Sequence, residues 1–310
     1  MDNLHNEHKM INLNEFSEHS WGHCLSIKNE LVELVIPFEF GPRLIRYASI
    51  GEKNQFAEFP AHKLDLNRKE WHSYGGHRLW HGPEVFARTY LPDNDPVKIE
   101  QTNNSVLIQQ TMEAPTQLQK EIEVRLDPLN THVQVTHRIR NHSLFDIRLA
   151  LWAVSVMATQ GKAILPLPPR GSHDDNLQAQ TSLNLWAYTD MKDTRWNFGP
   201  KLITFKQDPS KPNPQKIGIS RSRGWLAYIL ADQAFIKKSC FIENQAYPDE
   251  NSALEIYADH KCVELETLSP VTTIEPGDYA ELVEDWYLFK GFDANASDND
   301  LDKQLSEVLI

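Results

Sequence analysis

Leu118–Ile139, LQKEIEVRLDPLNTHVQVTHRI, is the stretch that decides the fold. Ile122, Val124 and Leu126 alternate with Glu121, Glu123 and Arg125, the period of two that gives a strand one buried and one wet face. Asp127–Asn130 (DPLN) supplies the turn, and His132–Ile139 returns with Val133, Val135 and Ile139 on one face. His137 shares that apolar face, where a satisfied core histidine is the ordinary outcome. The pair reads as an antiparallel hairpin.

Working outward, Ile147–Met157 is apolar on both faces, as a strand at the centre of a sandwich must be. Upstream, Val97–Glu100 and Ser105–Met112 read as strands after the turn PDNDP at 92–96, and Cys24–Phe38 (CLSIKNELVELVIPF) as a hairpin turning at Asn29-Glu30. Downstream strands are expected at Trp225–Ala231, Ser239–Ile242, Ala253–Tyr257, Cys262–Leu268, Val271–Ile274 and Ala280–Phe289. Pro166–Pro214, rich in proline, serine and asparagine, reads as a strand or two, including Leu183–Tyr188, with long loops over one face. About fifteen or more strands with Gly, Pro, Asn and Asp turns, and no long helix, predict an all-β, large antiparallel two-sheet sandwich. Residues 23–292 are expected to form this single domain, after a loose polar arm at 1–22 and before a tail at 293–310 that can form a short amphipathic helix from Asp298.

The 310 residues carry a formal charge of −12 with no Lys/Arg cluster, which argues against nucleic acid and anionic membrane surfaces as partners. The start, MDNLHNEHKMINLNEF, has neither a basic nor an apolar leader segment. The longest apolar run, Leu149–Ala158, is about half of what a membrane-spanning helix needs. Cys24, Cys240 and Cys262 are widely spaced and read as reduced, buried thiols of a cytoplasmic protein. No nucleophile elbow, P-loop or dinucleotide fingerprint is present, and no cofactor is expected.

Chemistry concentrates in Tyr74–Glu84, YGGHRLWHGPE. Gly75-Gly76 and Gly82-Pro83 bend the chain on either side of Arg78-Leu79-Trp80, and an extended backbone points His77 and His81 the same way. So many hydrogen-bonding groups around one tryptophan suit a polar ligand; the alternatives are a metal held by His77, His81 and Glu84, or histidines that merely stabilise turns. In VELETLSP, Glu264 and Glu266 are two apart on a strand and share a face, either as surface charges or as carboxylates in a cleft whose repulsion raises one pKa. Trp152 is either a core residue or a stacking platform for a sugar ring, and Arg43 and Arg46 are either ligand donors or edge charges.

Taken in order, these segments resemble the galactose mutarotase-like (aldose 1-epimerase-like) superfamily over most of residues 24–290. GPRLIRYASIGEKNQF is similar to its opening strand, GGHRLWHGPE to its GG…GP loop, KEIEVRLDPLNTHVQVTHRIRNHS to its central hairpin, and ELETLSPVTTIEPGDYAELVEDWYLF to its late glutamate strand. Among its branches the chain looks nearest to one with a GG-x-x-x-W-x-x-P-(E/Q) loop. The resemblance implies a β-supersandwich and a small-molecule carbohydrate ligand. It further implies Glu264 or Glu266 as base and His77 or His81 as acid in an aldose epimerisation, with Arg43, Arg78, Trp80, Glu84 and Trp152 around the sugar. The sequence departs from the family at its second histidine, where Trp152 and Ser155 stand instead. That departure makes a non-catalytic carbohydrate-binding or sensing protein the rival reading, with a His/Glu metal enzyme third.

Overall fold

In the computed structural model, which describes residues 11–18, 20–60, 69–102 and 105–309, the decisive hairpin lies inside the largest sheet. In chain order come β1 (Asn12–Glu18), β2 (Gly22–Lys28), β3 (Val32–Pro37), β4 (Arg43–Leu44), β5 (Arg46–Ser49), β6 (Gly76–Gly82), the short α1 (Phe86–Thr89), β7 (Lys98–Gln101) and β8 (Val106–Gln109). The middle holds β9 (Leu118–Leu126), β10 (Val133–Asn141), β11 (Ile147–Met157), β12 (Lys162–Pro166), β13 (Leu183–Leu185), β14 (Trp196–Phe198), β15 (Leu202–Lys206) and β16 (Gln215–Ile219). The chain closes with β17 (Trp225–Leu230), β18 (Gln233–Ser239), β19 (Leu254–Ala258), β20 (Val263–Leu268), β21 (Thr272–Ile274), β22 (Tyr279–Lys290) and α2 (Asp298–Val308).

The ten-stranded sheet runs β14-β15-β12-β17-β18-β22-β10-β9-β8-β7. The eight-stranded sheet runs β13-β16-β19-β20-β11-β6-β4, with β21 added beside β11, and β1-β2-β3-β5 make a smaller third sheet. The two large sheets share one core: Ile122, Val124, Val133, Val135 and Trp286 from the first meet Leu151, Ala153, Ile256 and Leu265 from the second. Each fully buried Val, Leu or Ile there contributes roughly 1.5–3 kcal/mol. β11 explains its own lack of alternation. Leu149, Leu151 and Ala153 enter that core, while Trp152, Val154 and Val156 pack in a second cluster with Trp80 and Leu268 on the opposite face.

The Asn29 turn is secured by its side chain, whose Oδ1 accepts from the backbone N–H groups of Leu31 and Val32 at 2.8 and 2.9 Å. Its Nδ2 donates to the carbonyls of Asp127 and Asn130, which ties this hairpin to the DPLN turn. α2 starts at an N-cap, Ser297, whose side chain accepts from the Asp300 N–H, and it buries Leu301 and Leu305.

Four expectations need correction. Of the three cysteines expected to be buried, Cys24 and Cys262 are, but Cys240 is exposed just past the end of β18. Asn12–Glu18 is not loose: all of it pairs antiparallel with β2, while residues 1–10 of the expected arm lie outside the described residues. The strand expected at Ser239–Ile242 precedes that stretch and stops at Ser239, because QAFIKKS buries its first five residues against β17 and β22. The proline-rich middle holds three short strands, β13 to β15, since Leu202–Phe205 buries four residues in a row despite its polar surroundings.

Candidate functional site

β6 decides what reaches the ligand face. A strand alternates its side chains, so Arg78 and Trp80 point one way and His77, Leu79 and His81 the other. The approach to β6 needs glycine: at Gly76, with φ 68°, a Cβ would lie 2.4 Å from the Leu44 carbonyl oxygen. The register then assembles the outer face of the eight-stranded sheet. Trp80 stands opposite Trp152, Arg78 opposite Val154, Val154 opposite Glu266, and Glu266 opposite Glu255 on β19.

Over this face lies a cleft of about 630 Å³. Arg78, Trp80, Trp152, Glu264 and Glu266 line it, Lys216 of β16 reaches into it, and Trp71, Tyr90, Tyr188 and Tyr257 complete its walls. The tryptophans are continuous, with the Trp80 ring 5.0 Å from Trp71 and 5.3 Å from Trp152 between centroids. The Arg78 guanidinium lies over Trp80 at 4.2 Å and donates to Glu264 Oε1 at 3.0 Å.

Lys216 is the electrostatic centre. Its ammonium is 2.8 Å from both Glu255 and Glu266 and sits over the rings of Trp152 and Trp186. Burial would discharge it, but the two carboxylates hold its pKa well above the usual lysine range. The Trp152 indole N–H donates to Glu266 Oε2 at 2.9 Å, while Glu266 Oε1 has no hydrogen-bond partner in the protein. Burial, with the charge of Glu266 adding to it, raises Glu264 above the ordinary carboxyl range although Arg78 pulls it down. The same causes raise Glu255 well above that range against the pull of Lys216.

Of the residues singled out in the sequence, Arg78, Trp80, Glu84, Trp152, Glu264 and Glu266 line the cleft. Glu84 is exposed at the rim, where the Tyr90 hydroxyl donates to it. Arg43, Arg46, His77 and His81 do not line it; Arg46 is ion-paired to Glu33 at 3.2 Å instead. Arg43 is fully buried as a clamp, ion-paired to Asp93 at 2.8 Å and donating to the carbonyl of Ser73. His81 is fully buried on the core face with no hydrogen-bond partner on either ring nitrogen, and burial brings its pKa down to about 3. His77, also on the core face, belongs to a chain of hydrogen bonds between the sheets.

The directions in that chain follow from its ends. The Leu282 carbonyl can only accept, so His137 Nδ1 donates to it at 2.9 Å and His137 Nε2 is left to accept from His77 Nε2 at 2.7 Å. His77 Nδ1 must then accept from Ser155 Oγ at 2.9 Å, and Ser155 Oγ in turn accepts from Lys237 Nζ at 3.3 Å. Lys237 closes the chain on Glu284 at 2.9 Å and also donates to the carbonyls of Ala153 and Leu265. Both imidazoles are neutral in this arrangement, and burial lowers the pKa of each. His77, His81 and Glu84 therefore do not converge on a metal. Among the described residues the one set with ligand atoms close enough to share an ion is His77, His137 and Glu284, within 4.8 Å of one another. There the Lys237 ammonium already supplies the positive charge.

Lys216, Glu255, Tyr188, Trp71 and Trp186 escaped the sequence analysis. QKIGI and ALEIYA carry the same alternation that singled out Glu264 and Glu266, with Lys216 and Glu255 at the polar positions. The signal for those two was present. Tyr188 and Trp186 come from the long middle segment, whose path no periodicity announces.

No protein-family model matches the chain, and no curated protein sequence matches it. Solved structures do. A galactose mutarotase-like protein from Lactobacillus casei has a TM-score of 0.55 at 11% identity, covering 86% of this chain and 100% of its own. One from Clostridium acetobutylicum has a TM-score of 0.53 at 12% identity, covering 91% and 99%. A candidate aldose 1-epimerase from Klebsiella pneumoniae has a TM-score of 0.58 at 11% identity, covering 96% and 87%. The chain has the galactose mutarotase-like fold. Among the described residues no helix is long and apolar enough to cross a membrane.

Proposed function

We propose that the chain binds a sugar in the cleft and exchanges its anomers by proton transfer through the carboxylates of β20. The observation that carries this reading is the pairing of a tryptophan wall with two strand-borne carboxylates, Glu264 and Glu266, on one cleft floor. The apolar face of a pyranose stacks on Trp80 and Trp152, while its hydroxyls meet Glu266 and Arg78. Glu266, with Oε1 free of protein partners and Oε2 fixed by Trp152 and Lys216, is the base for the anomeric hydroxyl. The acid that serves the ring oxygen is Glu264, the carboxyl held above its usual range. A carboxyl raised by burial beside one held by Trp152 and Lys216 can divide the roles of acid and base, as neighbouring carboxyls do in other acid–base enzymes. This replaces the histidine acid implied by the family resemblance. Solved structures of similar fold that bear mutarotase or epimerase names support the sugar at the level of fold, and not the residues.

A second reading, a carbohydrate-binding protein without turnover, is favoured by one observation: both floor carboxylates are already ion-paired, to Arg78 and Lys216. NMR exchange spectroscopy on a panel of aldoses, with wild type and Glu266→Gln, separates the two. A catalyst accelerates exchange and loses it in the variant; a binder broadens or shifts sugar resonances with no faster exchange in either protein.

A further inference from the structure

We infer that a second sugar position lies at the rim of the cleft, built by Tyr90 and Phe86, and that the ligand is the reducing end of a disaccharide or longer oligosaccharide. The inference rests on the sugar-binding reading above and adds its substrate class.

The aromatic wall does not stop where one sugar ring would. It begins at Trp152, whose indole N–H donates to Glu266, and continues to Trp80 at 5.3 Å between centroids and from there to Tyr90 at 4.8 Å. Tyr90 lines the cleft, and Phe86 stands just beyond it, stacked on Tyr90 at 5.2 Å with the ring planes 27° apart. Exposure rises along the row: Trp152 is 2% and Trp80 5% exposed, Tyr90 is half-buried, and Phe86 is 82% exposed. The row leads from the carboxylates of the floor out to solvent. The cleft, at about 630 Å³, falls within the range of about 300–1,000 Å³ that encloses drug-sized ligands, and a single hexopyranose is smaller than those.

Phe86 is held in its place, not left over on a slack loop. The Val85 N–H donates to Thr89 Oγ1 at 3.0 Å, Thr89 Oγ1 donates to the His81 carbonyl at 3.4 Å, and Arg88 Nη2 donates to the Pro83 carbonyl at 2.8 Å. Thr89 is fully buried, so these bonds root α1 in the end of β6. A platform already fixed before the ligand arrives loses little freedom on binding. Val85, 45% exposed, widens the apolar surface beside the ring. Glu84, exposed next to it and already accepting from the Tyr90 hydroxyl on Oε1, brings carboxylate lone pairs for sugar hydroxyls. An aromatic face bordered by a carboxylate matches a pyranose, which has an apolar C–H face and a polar edge. Since Trp152 and Glu266 stand at the inner end of the row, the ring with the free anomeric centre lies over the floor and the glycosidic bond leads outward to Phe86.

Calorimetric titration of the full chain tests this, with glucose set against maltose, cellobiose and isomaltose, and galactose against its α- and β-linked galactobioses. At least one disaccharide is expected to bind about tenfold tighter than its own monosaccharide. Phe86→Ala is expected to lower that ratio severalfold, and Phe86→Tyr to keep it, both melting with wild type because the ring is exposed. If no disaccharide exceeds its monosaccharide, or if the ratio survives Phe86→Ala, the second position is overturned and sugar binding stands. Failure of every sugar to bind, single or linked, overturns both.

Discussion

The two faces of β6 carry polar clusters of opposite kinds. Inward, His77 joins His137, Ser155 and Lys237 in a chain of hydrogen bonds that starts at the Leu282 carbonyl and ends on the ion pair of Lys237 with Glu284. Outward, Arg78 stands among Glu264, Glu266, Glu255 and Lys216, where Glu266 Oε1 and the Nε and Nη1 of Arg78 have no hydrogen-bond partner in the protein. A closed network fixes how two sheets sit on one another; an open one has capacity left for a ligand. The same residue types serve either face, so the face of the strand and the cleft that opens over it, not the identity of the residue, separate scaffold from site: His81, inward, is unpartnered too, but it does not line the cleft.

The sharpest way to break the comparison is to open the closed side. Lys237→Met leaves Glu284 buried without its cation and is expected to cost about 3–5 kcal/mol, read as a lower urea midpoint, while Lys237→Met with Glu284→Leu recovers part of the loss. If Lys237→Met melts like wild type, the inner cluster is not holding the sheets. On the open side, Glu266→Gln is expected to lower anomer exchange by about 10²-fold or more while costing less stability than Lys237→Met, since Glu255 still pairs with Lys216. A parallel collapse of stability would make Glu266 part of the scaffold.

The histidines sharpen the contrast through pH. His77, His81 and His137 are kept neutral in the fold chiefly by burial, His81 with a pKa of about 3. In the unfolded chain imidazoles titrate near about 6.5, so below that pH the unfolded state takes up protons that the fold refuses. Stability is then full above about pH 6.5 and falls as pH drops towards 3, by up to about 1.4 kcal/mol per pH unit for each histidine. His81→Leu removes one share, and denaturation midpoints between pH 7 and pH 4 should fall less steeply. An unchanged slope would mean that His81 is protonated in the fold. The smallest expected effect is that of His77→Phe on the sugar: exchange per folded molecule stays within about twofold, since His77 faces away from the cleft, although stability drops by about 1–3 kcal/mol as His137 and Ser155 lose their partner.

Strand alternation made most of the sandwich legible, because Ile122, Val124, Val133 and Val135 can be buried only in one register. It also placed Glu264 and Glu266 on one face, and both line the cleft. It could not say which face of β6 the ligand would see. His77 and His81 are grouped correctly with each other, but to the sequence both faces of YGGHRLWHGPE look equally polar. That ambiguity has a physical origin: β6 lies between a core that accepts a closed polar chain and a cleft that requires an open one. Arg43 misled for a related reason, since a buried Arg–Asp clamp and a ligand-binding arginine look the same in sequence.

The most direct test of the account is anomer exchange measured by NMR on wild type and Glu266→Gln, over a panel of aldoses. The account predicts faster exchange of at least one sugar with wild type, and exchange at the uncatalysed rate with the variant while the fold is retained. Faster exchange in both proteins alike, or no response of any sugar to either, would contradict it.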